Sequence, residues 1–422
     1  MKVAGTVRVP GDKSITHRAL LLGALARGES HVGGALTSLD ARSSARVLRA
    51  LGAEISPLRA GDVVTVRGSG RLRRPAATLD CGNSGTTARL LLGLLAGHPF
   101  KATLTGDSSL RRRPMRRVTG PLAEMGARFE ERGGDGLPLT VLGGRLRALR
   151  HVMPVSSAQI KSALLLAGVA GEVDVAIREP AGRSRDHTER MLRYFGFEVD
   201  ERDGWITFRP GGRITPFDLQ VPGDPSSAAF MIGAAVLADG GGVRVAGVGV
   251  NPTRTGFLRV LERMGARVTV EDQVDHFGEP VADLVAGPAE LRATEIVPAE
   301  VPGLIDEIPL LAALASRAAG STVFRQVGEL RVKESDRLGL IAENLRRVGG
   351  VAEVEGDDLH VVGGDAPPRG SVRTAGDHRL AMAFAVLGTL PGARVRIDDL
   401  ACAAVSFPGF PAALRALARR AA

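Results

Sequence analysis

Short polar segments recur along this sequence, each setting a cation or an acid among helix-capping residues. Lys13, Ser14 and Arg18 lie in GDKSITHRAL, and Gly85 lies in GNSGTTARL. Arg111, Arg112 and Arg113 lie in SSLRRRPMRR. Ser157, Ala158 and Gln159 lie in SSAQIKSAL, and Arg183 and Arg185 in GRSRDHTERM. Farther on come Asp306 in LIDEIPL, Lys333, Glu334 and Arg337 in RVKESDRL, and His378 and Arg379 in GDHRLAM. Guanidinium and ammonium groups hold phosphates and carboxylates, and carboxyl groups placed between them move protons. The set suits chemistry on a small, multiply charged anion. Lys is scarce: of the 55 basic residues only Lys2, Lys13, Lys101, Lys161 and Lys333 are not Arg. Where any cation would serve, this chain has Arg, so Lys13 and Lys333 point to a need for a compact ammonium.

Plainer readings compete at several of these positions. Capping alone accounts for Ser14, Ser84, Thr86, Ser157 and Ser226. GDKS is not a phosphate-binding P-loop, because Asp12 separates Gly11 from Lys13. His187 and His378 fit solvated or structural roles somewhat better than a direct chemical one. Of the arginines in 111–117, one is expected in a site and the others on a solvated face. Glu307 reads as a helix N-terminal charge. The remaining His residues and the two Cys, Cys81 and Cys402, have no metal-ligand spacing, so no metal is expected.

The elements that carry these segments repeat. Six polar tips each open an apolar helix of small residues, at 11–28, 82–97, 156–171, 223–240, 305–320 and 376–392. The helices are apolar nearly all round, which predicts burial rather than a surface position. In step with them a helix ends in Gly before a strand at Gly52, Gly126, Gly196, Gly265 and Gly349, spaced 74, 70, 69 and 84 residues apart. AALRALARRAA at the C-terminus is a candidate sixth such helix, with the N-terminal strand KVAGTVRVP taking the place of the strand that should follow. VRVPGDKS at 7–14 and LQVPGDPS at 219–226 share Val-Pro-Gly-Asp at an offset of 212 residues, half the chain. This predicts an α/β (α+β) protein of two similar domains, 12–223 and 1–11 plus 224–422, with two chain crossovers as a hinge. Each helix N-terminus carries unsatisfied N–H groups and a partial positive charge, so gathered tips favour an anion.

Composition excludes other classes. The 422 residues are 44% hydrophobic and 24% charged, with a net charge of +9. Aromatics make up only 4%, with one Trp and one Tyr, and the Arg clusters lack them, which argues against nucleic-acid binding. No apolar run is long enough for a membrane span and the N-terminus lacks an apolar signal core, so a cytoplasmic protein is expected.

With VPGDPSSAAF, NPTRTG and SFPGF added, these segments resemble the enolpyruvyl transferase family over nearly the whole chain. SSAQIKSA with SRDHTERM is similar to its bacterial class II shikimate branch. The resemblance implies an inside-out α/β barrel in each domain, three βαβαββ units around buried parallel helices, with the active site in the cleft between domains. It implies transfer of the enolpyruvyl group of phosphoenolpyruvate to the 5-hydroxyl of shikimate 3-phosphate, by a monomer without metal or organic cofactor. By position, Lys13, Ser14, Arg18, Ser157, Ala158, Gln159, Arg185, Asp306 and Lys333 would contact shikimate 3-phosphate. Lys13, Gly85, Arg113, Gln159, Arg337, His378 and Arg379 would contact phosphoenolpyruvate. Asp306 would be the base toward the 5-hydroxyl with Lys333 beside it, Glu334 would protonate the methylene carbon, and Lys13 would reach both substrates. Gly85 would leave room in the pocket where glyphosate competes. Many members carry Lys where this chain has Val405. The enterobacterial form has Tyr where this chain has His187, whose role stays open. The sister branch acting on UDP-N-acetylglucosamine usually has Lys-Asn at the first tip and a Cys near 106–117, and neither is present here. A catalytically dead regulatory relative is disfavoured because every chemical position except the Val405 site is filled.

Overall fold

The computed structural model describes residues 2–131 and 134–419. Residues 1, 132–133 and 420–422 fall inside the expected domain spans, the last at the end of the expected C-terminal helix, and lie outside the described residues. The chain divides into a first unit, Gly11–Val221 with His276–Glu279, and a second unit, Met1–Pro10 with Pro222–Asp275 and Pro280–Ala422. The segment His276–Glu279 departs from the two-crossover expectation, because the chain now passes between units four times. It is the turn joining strands Val268–His276 and Glu279–Ala286, and its partners lie in the first unit. Phe277 stacks on Tyr194 with ring centroids 3.6 Å apart. Arg190 donates to the Gly278 carbonyl at 2.8 Å, and His187 Nδ1 pairs with Glu279 at 2.7 Å.

Small mixed sheets repeat in both units. In the first unit, strand Lys101–Thr105 pairs parallel with Leu79–Asp80 and antiparallel with Leu139–Leu142, which pairs in turn with Arg128–Glu131. The same order, one parallel neighbour and then an antiparallel hairpin, holds for Val175–Arg178 and Arg27–Gly33. It holds again in the second unit for Val243–Gly249 and Ser321–Phe324. The sixth repeat differs, since among the described residues Arg369–Val372 pairs only with Arg394–Ile397. The C-terminal pair Ala418–Arg419 joins Lys2–Val3 instead, and Gly5–Val7 completes the sheet of Val243–Gly249.

Six buried helices fill the two cores. In the first unit they are α1 (Lys13–Leu25), α2 (Gly85–Ala96) and α3 (Ala158–Gly171). In the second they are α4 (Pro225–Val236), α5 (Ile308–Ala315) and α6 (His378–Leu387). Leu90, Leu91, Leu92, Leu94 and Leu95 of α2 are all fully buried, each worth ~1.5–3 kcal/mol of transfer energy. Small residues let the helices touch. A Cβ on Gly93 would fall 2.0 Å from the Ala163 carbonyl oxygen, so Gly93→Ala would force α2 and α3 apart. The closing glycines Gly52, Gly126, Gly196, Gly265 and Gly349 all have positive φ, between 76° and 109°, as a left-handed helix stop requires.

Candidate active site

In the first unit, Asp12 rather than Ser14 caps α1, accepting from the Ile15 N–H at 2.8 Å. Lys13 stands half-buried at the first helical position, its Nζ 3.4 Å from Asp40. The Ser14 hydroxyl lies 3.4 Å from Nη1 of half-buried Arg185. Arg18, one turn on, is buried and tied to neutral partners: the Ser14 carbonyl at 2.9 Å, Thr188 Oγ1 at 2.7 Å and Ser162 Oγ at 2.6 Å. Burial brings its pKa down to about 10. Below this tip, His17 Nδ1 meets Ser44 Oγ at 2.7 Å, Ser44 meets Thr87 Oγ1 at 2.7 Å, and Thr87 donates to Ser84 Oγ at 2.7 Å. This relay locks α1 to α2. Burial, then Lys13 and Arg18, push the His17 pKa down to about 3, so the ring stays neutral.

Ser84 caps α2 and leaves Gly85 as its first residue. A Cβ there would lie 3.1 Å from Arg113 Nη1 and 3.6 Å from Arg89 Nη1, so two guanidinium groups crowd a bare backbone. Arg113 is buried and donates to Asn83 Oδ1 at 2.6 Å, while Arg111, Arg112 and Arg116 are exposed. The 111–117 run departs in part from the expected solvated face, because Arg117 is half-buried with a buried Nε. Arg89 donates to Gln159 Oε1 and to the Pro114 carbonyl, and Gln159 donates to Thr86 Oγ1 at 3.0 Å. Gly85, Arg89, Arg113 and Gln159 therefore form one cationic patch across the tips of α2 and α3. Ser157 stands half-buried at the N-cap of α3 without a side-chain cap bond, and Ala158 is the first helical residue.

Three other first-unit groups belong to the scaffold. Lys161 is fully buried between Glu189 at 2.8 Å and Glu179 at 3.0 Å, so its charge is spent internally. Arg183 is exposed and pairs with Glu201 at 2.6 Å. His187 is buried against Glu279, which gives it a structural partner.

The second unit gathers acids around one cation. Arg337, fully buried, donates Nε to Asp377 at 2.7 Å, Nη1 to Asp306 at 3.1 Å and Nη2 to Glu334 at 2.5 Å. Burial opposes its charge, but Asp377, Glu334 and Asp306 outweigh that and drive its pKa upward. Asp377 caps α6 through the Arg379 N–H at 2.9 Å, so one carboxylate fixes both a helix tip and Arg337. Arg379 is buried with its Nη2 4.0 Å from Asp306, and its Nε has no hydrogen-bond partner. That Nε has capacity left for an incoming anion. His378 is buried at the first position of α6. Lys333 is half-buried and makes no hydrogen bond or ion pair among the described residues. Burial lowers its pKa, with Arg337 adding to the effect and Asp306, Glu329 and Glu334 opposing it. Asp306 is hydrogen-bonded to Arg337, and it is also the carboxylate acting most strongly on Lys333, ahead of Glu329 and Glu334. Glu307, buried at the N-cap of α5, accepts the Ser226 hydroxyl, and Arg254 donates to the same oxygen at 2.9 Å. Val405 closes a 3₁₀ turn, Ala401–Val405, in this unit.

Sequence reasoning missed Arg89, Asn83 and Asp377. Arg89 was detectable, being four residues after Gly85 and hence on the same helix face. Asp377 repeats the cap position of Asp12 and Asp224 but uses its second oxygen on Arg337, which spacing does not reveal. Among the described residues, no group of three or more His, Cys, Asp or Glu is arranged to hold a metal ion. Nor is any helix there long and apolar enough to cross a membrane.

Residues 1–414 match the family described as EPSP synthase (3-phosphoshikimate 1-carboxyvinyltransferase). A 3-phosphoshikimate 1-carboxyvinyltransferase from Gloeobacter violaceus is 51% identical over 414 residues, covering 97% of this chain and 95% of the relative. Its counterpart from Citrifermentans bemidjiense is 45% identical over 422 residues, covering 99% and 97%. Among solved structures, the EPSP synthase of Acinetobacter baumannii is 38% identical and superposes with a TM-score of 0.85, covering 99% of this chain and 96% of that one. The enolpyruvyl transferase NikO of Streptomyces tendae, at 20% identity and a TM-score of 0.78, shares the fold over 99% of this chain and 95% of its own.

Proposed function

Because this chain belongs to the EPSP synthase (3-phosphoshikimate 1-carboxyvinyltransferase) family, we propose that it transfers the enolpyruvyl group of phosphoenolpyruvate to the 5-hydroxyl of shikimate 3-phosphate. The match over residues 1–414 carries this reading. The reaction belongs to the shikimate pathway, and the enzyme works as a cytoplasmic monomer of the bacterial class II type.

The two clusters act on one pair of substrates. Lys13, Ser14, Arg18, Ser157, Gln159 and Arg185, with the backbone at Ala158, hold shikimate 3-phosphate. Arg113, Gln159, Arg337, His378 and Arg379 hold phosphoenolpyruvate against the bare backbone at Gly85. The burial of Arg113 and the unpartnered Nε of Arg379 support the second set, since each is a desolvated cation facing a dianion's needs. Asp306 takes the proton of the 5-hydroxyl as its oxygen attacks the enol carbon, and Glu334 delivers a proton to the methylene carbon. The tetrahedral intermediate then loses phosphate while the new methyl group returns a proton. Lys333, with its lowered pKa and free ammonium, serves the hydroxyl and the leaving group. Arg337 holds Asp306 and Glu334 together, so the base and the acid keep a fixed spacing.

The test is phosphate release from phosphoenolpyruvate with and without shikimate 3-phosphate. Release that depends on shikimate 3-phosphate is expected. Release supported equally by UDP-N-acetylglucosamine, or none at all, overturns the proposal.

A further inference from the structure

The end of the first unit opposite its catalytic tips holds a large basic depression. Its volume is about 1410 Å³, and it is lined where α1, α2 and α3 finish, by Leu25, Gly97 and Glu172. Five arginines stand around it: Arg27, Arg71, Arg73, Arg74 and Arg213. All five are exposed, and among the described residues none makes a side-chain hydrogen bond or ion pair. Single exposed arginines without an acid among the described residues, such as Arg59, Arg128 and Arg202, occur elsewhere in this unit, and others are paired; what sets these five apart is that they gather around one depression. Arg67 pairs with Glu29 at 2.6 Å, Arg116 with Glu131 at 2.7 Å and Arg209 with Glu198 at 2.6 Å. A general enrichment in Arg explains many arginines, but it does not explain five gathered around a single carboxylate, Glu172.

The helix ends do not absorb this charge. Three C-terminal dipole ends carry about half a negative charge each, and Glu172 adds one more. Together they offset roughly half of the five positive charges. The floor between the arginines is apolar, with Leu72, Phe197 and Ile214 buried and Phe100 half-buried. A rim of planar guanidinium forks suits phosphate oxygens, and an apolar floor with aromatic rings suits a flat group.

We propose that this depression binds a small polyanion carrying a flat apolar group, of the nucleoside polyphosphate class, at a site separate from the catalytic tips. The phosphates lie on Arg71, Arg73 and Arg74, and the base lies over Phe100 and Phe197.

The test is calorimetric titration of the full-length protein with ATP and, separately, with inorganic tripolyphosphate. Saturable one-to-one ATP binding is expected, at least fivefold tighter than tripolyphosphate and unchanged by saturating phosphoenolpyruvate and shikimate 3-phosphate. The double variant Arg71→Ala, Arg74→Ala should weaken it at least tenfold while kcat/KM stays within twofold. Absence of saturable binding overturns the proposal, as does displacement by the substrates or ATP binding untouched by the double variant. Equal affinity for tripolyphosphate, or tighter binding of a short RNA oligonucleotide, overturns the assigned ligand class.

Discussion

The helix tips of the two units are built from the same motif and used in opposite ways. Val-Pro-Gly-Asp opens both α1 and α4, and Asp12 and Asp224 cap them alike. In the first unit Arg18 donates to two hydroxyls and a carbonyl, Arg113 to Asn83 and Arg89 to Gln159, while Lys13 lies 3.4 Å from Asp40. In the second unit Arg337 is surrounded by Asp306, Glu334 and Asp377, which leaves little of its charge over. The difference teaches a division of labour. In the proposed function the first unit contributes most of the shikimate 3-phosphate contacts, and the second contributes the acids for proton transfer, set around Arg337.

The largest effect should come from breaking the second half of that comparison. Glu334→Gln keeps a hydrogen-bond partner for Arg337 but removes the transferable proton. It should lower kcat by ~10²–10⁴ with KM for either substrate changed less than threefold. A loss confined to KM would make Glu334 a binding group and dissolve the division. The next effect sharpens the first half. Arg113→Ala removes a buried cation facing phosphate and should lower kcat/KM by an amount equal to ~2–5 kcal/mol. Steady-state kinetics showing less than a tenfold loss would mark Arg113 as a scaffold group.

The two clusters should also differ in how they meet acid. The first unit depends on a neutral, buried His17 whose folded pKa, about 3, lies below the unfolded value of about 6.5. The unfolded chain takes up that proton first as pH falls. Stability is therefore intact above about pH 6.5 and is lost progressively from there toward pH 3. Between pH 7 and pH 5 the loss should be ~2 kcal/mol. Denaturant unfolding at both pH values measures it, and His17→Gln should flatten the slope. An unchanged slope would mean that other groups govern acid sensitivity.

Much of this arrangement was legible in the sequence because it is local. Caps, apolar helices and glycine stops are fixed by residues within one or two turns, so the repeat and the candidate tips could be read directly. That one arginine of the 111–117 run belongs to a site was an expectation from the sequence, but only the family resemblance singled out Arg113. What could not be read were partners far apart in the chain. Asp377 reaches Arg337 across 40 positions, and Arg89 reaches Gln159 across 70. The hairpin turn His276–Glu279 was invisible for the same reason. Nothing in HFGE announces that Phe277 will stack on Tyr194 or that Glu279 will meet His187.

Gly85 gives the smallest effect and the sharpest view of the first unit. A methyl group there would start 3.1 Å from Arg113 Nη1, closer than side chains normally sit, but the atom it meets is the far end of a flexible side chain. Arg113 can therefore yield by a few tenths of an ångström, and the helix cap at Ser84 is untouched, so Gly85→Ala should fold normally. The shift moves a binding charge and touches no acid. KM for phosphoenolpyruvate should rise about three- to tenfold with kcat nearly constant, and inhibition by glyphosate should weaken by more than that, because the inhibitor would occupy the space beside the new methyl. Measuring both in one enzyme preparation separates the outcomes. If glyphosate inhibition stays the same while KM rises, the methyl acts only through Arg113 and the pocket does not extend over Gly85. If neither moves, the cationic patch on α2 and α3 is not where phosphoenolpyruvate binds, and the first unit loses its assigned half of the work.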